Sequence, residues 1–158
     1  MNDTTKLLLA LLATLIIIMY VYYYKNYKKD VVILQTYLDQ ADINLLYEKY
    51  PVVIYDQIID PRELLKTLFQ YSYMFQTDEV IDPDTTIVSK SKFTLVWYSG
   101  KVQEDLILQV MCPGSQDISI KLKKQQVVIL PAYWGFKSDI PINCIRLDDL
   151  LSVLVSKF

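Results

Sequence analysis

The chain of 158 residues contains no histidine, three glycines and two cysteines. Without an imidazole, Ser-His-Asp and Cys-His catalysis, the iron facial triad and the usual zinc ligand sets are excluded. Three scattered glycines leave no Gly-rich loop to cradle a phosphate. Cys112 and Cys144 show no C-x-x-C spacing and read as buried thiols of a reducing compartment. Basic runs are scarce too. Setting aside Lys6, Lys25, Lys28, Lys29 and Asp3, the 16 basic and 18 acidic residues become 12 and 17, so residues 30–158 are net acidic. Their one short basic run, KLKK at 121–124, reads as an exposed strand end, and no nucleic-acid partner is expected.

What the chain does have is a long apolar block, LLLALLATLIIIMYVYYYKNYKK at residues 7–29. Residues 7–24 carry no charge, and as a helix they would span roughly 27 Å, close to a bilayer's hydrocarbon thickness. The flank MNDTTK at residues 1–6 lacks the positive region of a signal peptide, and no A-x-A-like cleavage site follows. The expectation is an uncleaved transmembrane helix over 7–24, after a short tail at 1–6. Tyr20, Tyr22, Tyr23, Tyr24 and Tyr27 read as an interfacial aromatic belt, with Lys25, Lys28 and Lys29 beside anionic headgroups. The lysine excess after the block puts the N-terminus in the lumen and the C-terminal domain in the cytosol.

Residues 30–158, after a basic juxtamembrane segment at 25–29, have the length of one domain. Residues 31–39 either prolong the anchor helix or open the domain. NLLYEKY at 44–50 reads as a short helix stopped by Pro51, and PVVIYDQII as a buried strand. Asp60-Pro61-Arg62-Glu63 starts a helix expected to run to about Gln76. DPDTT at 82–86 reads as a turn, after which the pattern has period two. Residues 93–98 and 105–112 are expected to pair as an antiparallel hairpin around Ser99-Gly100-Lys101. Strands at 118–122, 126–130 and 142–147 follow, and Asp148 is expected to cap a last helix. The fold class is α+β: two leading helices, an antiparallel sandwich or jelly-roll-like sheet, and a C-terminal helix.

Acidic pairs occur at Asp82/Asp84 and Asp148/Asp149, but a turn and a helix start explain them without a metal. Tyr133-Trp134 reads as a core corner that could also offer a partner an aromatic platform. No catalytic, cofactor or metal site and no small-molecule substrate is expected.

KYPVVIYDQIIDPRELLKTLF (residues 49–69) and VVILPAYWGFKSDIPINCIRLDDLLSVL (127–154) resemble membrane-anchored, cupin-like minor structural proteins of nucleocytoplasmic large DNA viruses. That resemblance implies a helix-strand-helix opening, a jelly roll, and a virion protein tying the inner membrane to the capsid. Its implied partners are the lipid bilayer and other capsid or membrane-layer proteins, with the domain facing the capsid. Catalytic cupins carry a His-x-Asp or His-x-Glu iron site, which this chain lacks, so the resemblance implies a structural use of the fold. A cellular membrane-anchored adaptor with a cytosolic domain has the same topology.

Overall fold

The computed structural model describes residues 2–69, 75–98, 100 and 105–157. An apolar helix α1, Asp3–Lys25, leads. At 23 residues it is long and apolar enough to cross a membrane. It opens at Asp3, so the expected tail at 1–6 is mostly helical, with Lys6 bridging Asp3 at 3.1 Å. The helix ends at Lys25, and residues 31–39 belong to the domain: β1 covers Leu34–Thr36 and a single 3-10 turn covers Leu38–Gln40.

Next come α2 (Ile43–Tyr47), β2 (Val52–Ile54) and α3 (Arg62–Leu68). Asp60 Oδ1 accepts the Arg62 N–H at 3.0 Å in the turn that leads into α3, whose N-cap position is Pro61. The strands are β3 (Phe75–Ile81), β4 (Ile87–Val88), β5 (Phe93–Trp97), β6 (Leu106–Met111) and β7 (Asp117–Leu122). β8 (Val127–Pro131), β9 (Gly135–Ser138), β10 (Ile142–Asp148) and α4 (Leu150–Val155) complete the chain.

Strand order defines the architecture. One sheet runs β1-β2-β8-β5-β10-β3 and the other β4-β9-β6-β7. Within them β3 pairs β10, β4 pairs β9, β5 pairs β8 and β6 pairs β7, all antiparallel. This nesting of first with last is a jelly roll. β1 and β2 extend its larger sheet, and their own pairing is parallel, so that sheet is mixed.

Two apolar layers explain the patterns in sequence. Val96, Leu108, Val110, Leu122, Val128, Leu130, Phe136 and Cys144 fill the space between the sheets. Leu46, Leu64, Leu68, Leu95, Ile129, Ile145 and Leu147 fill the space between the larger sheet and the helices. The centre of the larger sheet is therefore buried on both faces, which is why β5 and β8 read as near-continuous apolar runs. β7 has one wet face, so Ser119 and Lys121 alternate with Ile120 and Leu122.

Three expectations are corrected. β5 and β6 are not a hairpin: β5 lies between β8 and β10, whereas β6 lies between β7 and β9 in the opposite sheet. Alternation shows which faces a strand buries, not which strand lies beside it. The hairpin is β6–β7, closed by Cys112-Pro113-Gly114-Ser115 with Gly114 at φ 74. Ser99 and Lys101 of the expected turn lie outside the described residues.

The helix expected to reach Gln76 ends at Leu68; residues 70–74 lie outside the described residues, and Phe75 and Gln76 belong to β3. β3 is an edge strand, exposed up to Val80, so it carries no apolar alternation to mark it. Asp78 and Glu79 of that edge hold Arg62 and Arg146, each at 2.5 Å, which blunts it against further pairing. Finally, the cap of α4 is Asp149, not Asp148. Asp149 accepts the Ser152 N–H at 2.7 Å and Ser152 Oγ accepts the Asp149 N–H at 2.9 Å, a reciprocal capping box.

Candidate functional site at the helix–domain junction

Tyr20, Tyr23 and Tyr24 are spaced i, i+3 and i+4, which lines them along one side of α1, and Tyr27 follows just past the helix end. That side meets the jelly roll. Tyr24 is 5% exposed, and its hydroxyl donates to the Lys90 carbonyl. Its ring stacks on Tyr20, centroids 6.1 Å apart, and meets Tyr133 edge-on at 5.7 Å. Tyr27 lies 6.1 Å from the same Tyr133 ring. Tyr23 donates to the Tyr47 carbonyl at 3.0 Å. Four of the five tyrosines expected at a membrane interface touch the protein. Tyr22 alone stays outside, well exposed, as do Lys25, Lys28 and Lys29. Lys28 places its ammonium 5.7 Å from the Tyr50 ring.

The polar centre of the junction is Asp149. Its Oδ1 accepts the Tyr20 hydroxyl at 2.7 Å, and its Oδ2 accepts the Lys92 ammonium at 2.6 Å. Both side chains of that ion pair are 14% exposed. Lys92 also lies 5.9 Å from the Tyr20 ring and 5.6 Å from the Tyr47 ring, within cation–π range. Asp148 holds the adjoining backbone, accepting the Lys92 N–H at 3.0 Å and the Ser152 hydroxyl at 2.8 Å. Burial pushes the Asp149 carboxyl up, but hydrogen bonds from Lys92, Ser152 and Tyr20 outweigh it and hold it below the usual carboxylate range.

A second cation closes the end of α1. Lys49, at φ 63, donates to the Tyr23 carbonyl and to the Asn26 carbonyl at 2.6 Å. Those are the unpaired acceptors of a helix C-terminus, where positive charge is favoured. Burial, with Lys28 nearby, pushes the Lys49 ammonium down to about 8.

The corner Tyr133-Trp134 is divided. Tyr133 sits at φ 69, a left-handed conformation that costs a non-glycine residue roughly 1–2 kcal/mol. Its N–H donates to the Ser89 carbonyl at 2.7 Å, and its ring wedges against Tyr24 and Tyr27. Trp134 is 0% exposed, so it is core and has no surface to offer a partner. Its indole N–H has no hydrogen-bond partner among the described residues. The acidic pairs are likewise engaged within the protein: Asp84 bridges Lys137 at 3.0 Å, and Asp148 and Asp149 serve the junction.

Lys92, Lys49 and Tyr47 were not singled out in sequence, and Asp149 only as half of an acidic pair at a helix start, because nothing local marks them as partners of a helix so far upstream. The tyrosine spacing was the available signal.

The chain is similar to RmlC from Streptococcus suis, solved in complex with dTDP-D-xylose, at 9% identity and a TM-score of 0.34. The match covers 63% of this chain and 61% of that one. A likeness of that size carries no argument, and the jelly roll stands on strand order. No family model matches the chain, and no curated protein matches it.

Proposed function

We propose that this protein is a membrane-anchored, non-catalytic docking protein whose jelly roll is held against the cytosolic face of a membrane by α1. The observation that carries the reading is the Tyr20–Asp149–Lys92 bond set, which supports a rigid mount instead of a flexible tether. A domain held near its partner layer meets it at an effective concentration of roughly millimolar order, so modest contacts suffice. The resemblance to virion proteins favours a large DNA virus, with the domain tying the inner membrane to the capsid. There the partners are lipid on one side and capsid or membrane-layer proteins on the other.

Two measurements on the full chain test this. Protease added to sealed, right-side-out vesicles should spare the domain, and digestion without detergent would overturn the orientation. Lysine crosslinking on intact particles should join Lys121, Lys123 and Lys124, at the end of the sandwich away from α1, to a protein layer. Neighbours confined to lipid, or turnover of a small molecule by the purified protein, would overturn the docking reading.

A further inference from the structure

The junction fixes a depth. Tyr20 lies four residues, about 6 Å of helix rise, inside the end of the apolar run at Tyr24. Side chains on a helix lean toward its N-terminus, so the Tyr20 hydroxyl reaches deeper still. Asp149 receives that hydroxyl at 2.7 Å, and Leu150, the first residue of α4, follows it in the chain. If α1 spans a bilayer, α4 begins below the end of the apolar run, at the headgroup–acyl boundary that interfacial helices occupy.

The surface at that depth is apolar. Leu150 and Leu154 are 63% and 49% exposed, four residues apart and so on one face of α4. The opposite face, Ser152 and Val155, is buried in the domain. Phe75, 55% exposed, is paired in register with Asp148 at the same end of the larger sheet. Beside them runs the exposed apolar flank of α1, including Ile16 and Ile17. Lys92 and Asp149 neutralise each other and are turned away from solvent, Asp148 accepts the Lys92 N–H and the Ser152 hydroxyl, and the exposed charge on this face is a cation, Lys157, which suits anionic headgroups.

We propose that α4 and Phe75 form a second membrane contact, dipping Leu150, Leu154 and Phe75 into the interfacial layer of the bilayer that α1 crosses. The occupant of this face is lipid, because the face continues the lipid-facing surface of α1 at a depth set by Tyr20 and Asp149. The proposal rests on the anchor reading above. It makes the domain lie on the membrane with its strand ends down, touching it at two points.

The test uses the full chain in phosphatidylcholine–phosphatidylserine vesicles, with a nitroxide at single cysteines introduced as Leu150→Cys, Leu154→Cys, Leu15→Cys or Lys124→Cys. Cys112 and Cys144 are buried and stay unlabelled. At 150 and 154 lipid-soluble oxygen should relax the label more than an aqueous nickel chelate does, as at 15. At 124 the order should reverse. Labels at 150 and 154 that behave like 124, while 15 remains in the bilayer, overturn the second contact and leave the anchor standing. A water-exposed label at 15 sinks the anchor reading and the contact with it. The unaltered chain gives an independent readout: a lipid-borne carbene photolabel should mark residues 150–155, and adducts confined to α1 would overturn the proposal.

Discussion

The Tyr20 hydroxyl donates a 2.7 Å hydrogen bond to the Asp149 carboxylate, joining the first helix to the cap of the last across 129 residues. This single contact couples the orientation of α1 to the integrity of the sandwich, because Asp149 also pairs Lys92 and caps α4.

Tyr20→Phe keeps the ring and removes the donor. A hydrogen bond to a charged group is worth about 1.5–3 kcal/mol, so urea unfolding in detergent should show a loss of that order. Lys92→Met leaves the Asp149 charge short of its cation in a site with little water. Combining it with Asp149→Asn should cost less than the sum of the two single changes, with a coupling of about 1–3 kcal/mol. Additive losses would show that the pair does not interact.

Acid should loosen the junction late. The folded state holds the Asp149 carboxyl below its ordinary value, so the folded form binds fewer protons there than the unfolded form. That contribution is fully present above about pH 4 and is lost as pH falls through the folded value. Melting temperature against pH should therefore show an acid limb, and Asp149→Asn should flatten it. An unchanged limb in that variant would assign the acid sensitivity to other carboxylates.

Trp134 is a stability residue. Trp134→Ala empties a fully enclosed site between the sheets and should cost about 3–5 kcal/mol. Trp134→Phe should cost less, since it keeps an aromatic ring and removes an indole N–H that has no partner among the described residues. Thermal melts of the two variants give the order directly, and a near-neutral Trp134→Ala would contradict the packing.

The two cysteines should be silent. Burial pushes the Cys144 thiol up to about 11, and burial with Asp30 nearby raises Cys112, so little thiolate forms at neutral pH. A thiol-reactive dye should add to neither side chain in the native protein and to both after unfolding. Mass mapping without reductant should find no disulfide, and finding one would overturn the assignment of free thiols.

Much of the fold was legible because burial leaves a periodic trace. β7 alternates since one face is wet, and α4 follows an acidic pair, although its cap is Asp149 and not the expected Asp148. What stayed hidden has a physical reason in each case. β3 lies at an edge and is held by backbone pairing and ion pairs, so its side chains need no pattern. The partners of β5 depend on nesting of distant strands, which no local window contains. The tyrosines carried two messages at once. Clustered beside lysines they suit a membrane interface, yet the i, i+3, i+4 spacing of Tyr20, Tyr23 and Tyr24 singles out one face of α1, and Tyr22 falls off it.

Nested pairing also sets an order in time. Ile81 is registered against Ile142, so the larger sheet cannot close until the last strand has left the ribosome. Pairings between such distant segments form slowly, and until then the flanks of β5 and β3 are open edges. Helix α1 precedes them all, and its Tyr20 finds no acceptor until Asp149 has been synthesised and the capping turn has formed. The hydroxyl–carboxylate contact is therefore among the final events of folding. A nascent chain with α1 formed and that contact unmade is an unfinished one, and the angle between helix and sandwich becomes fixed only when the sheet is whole.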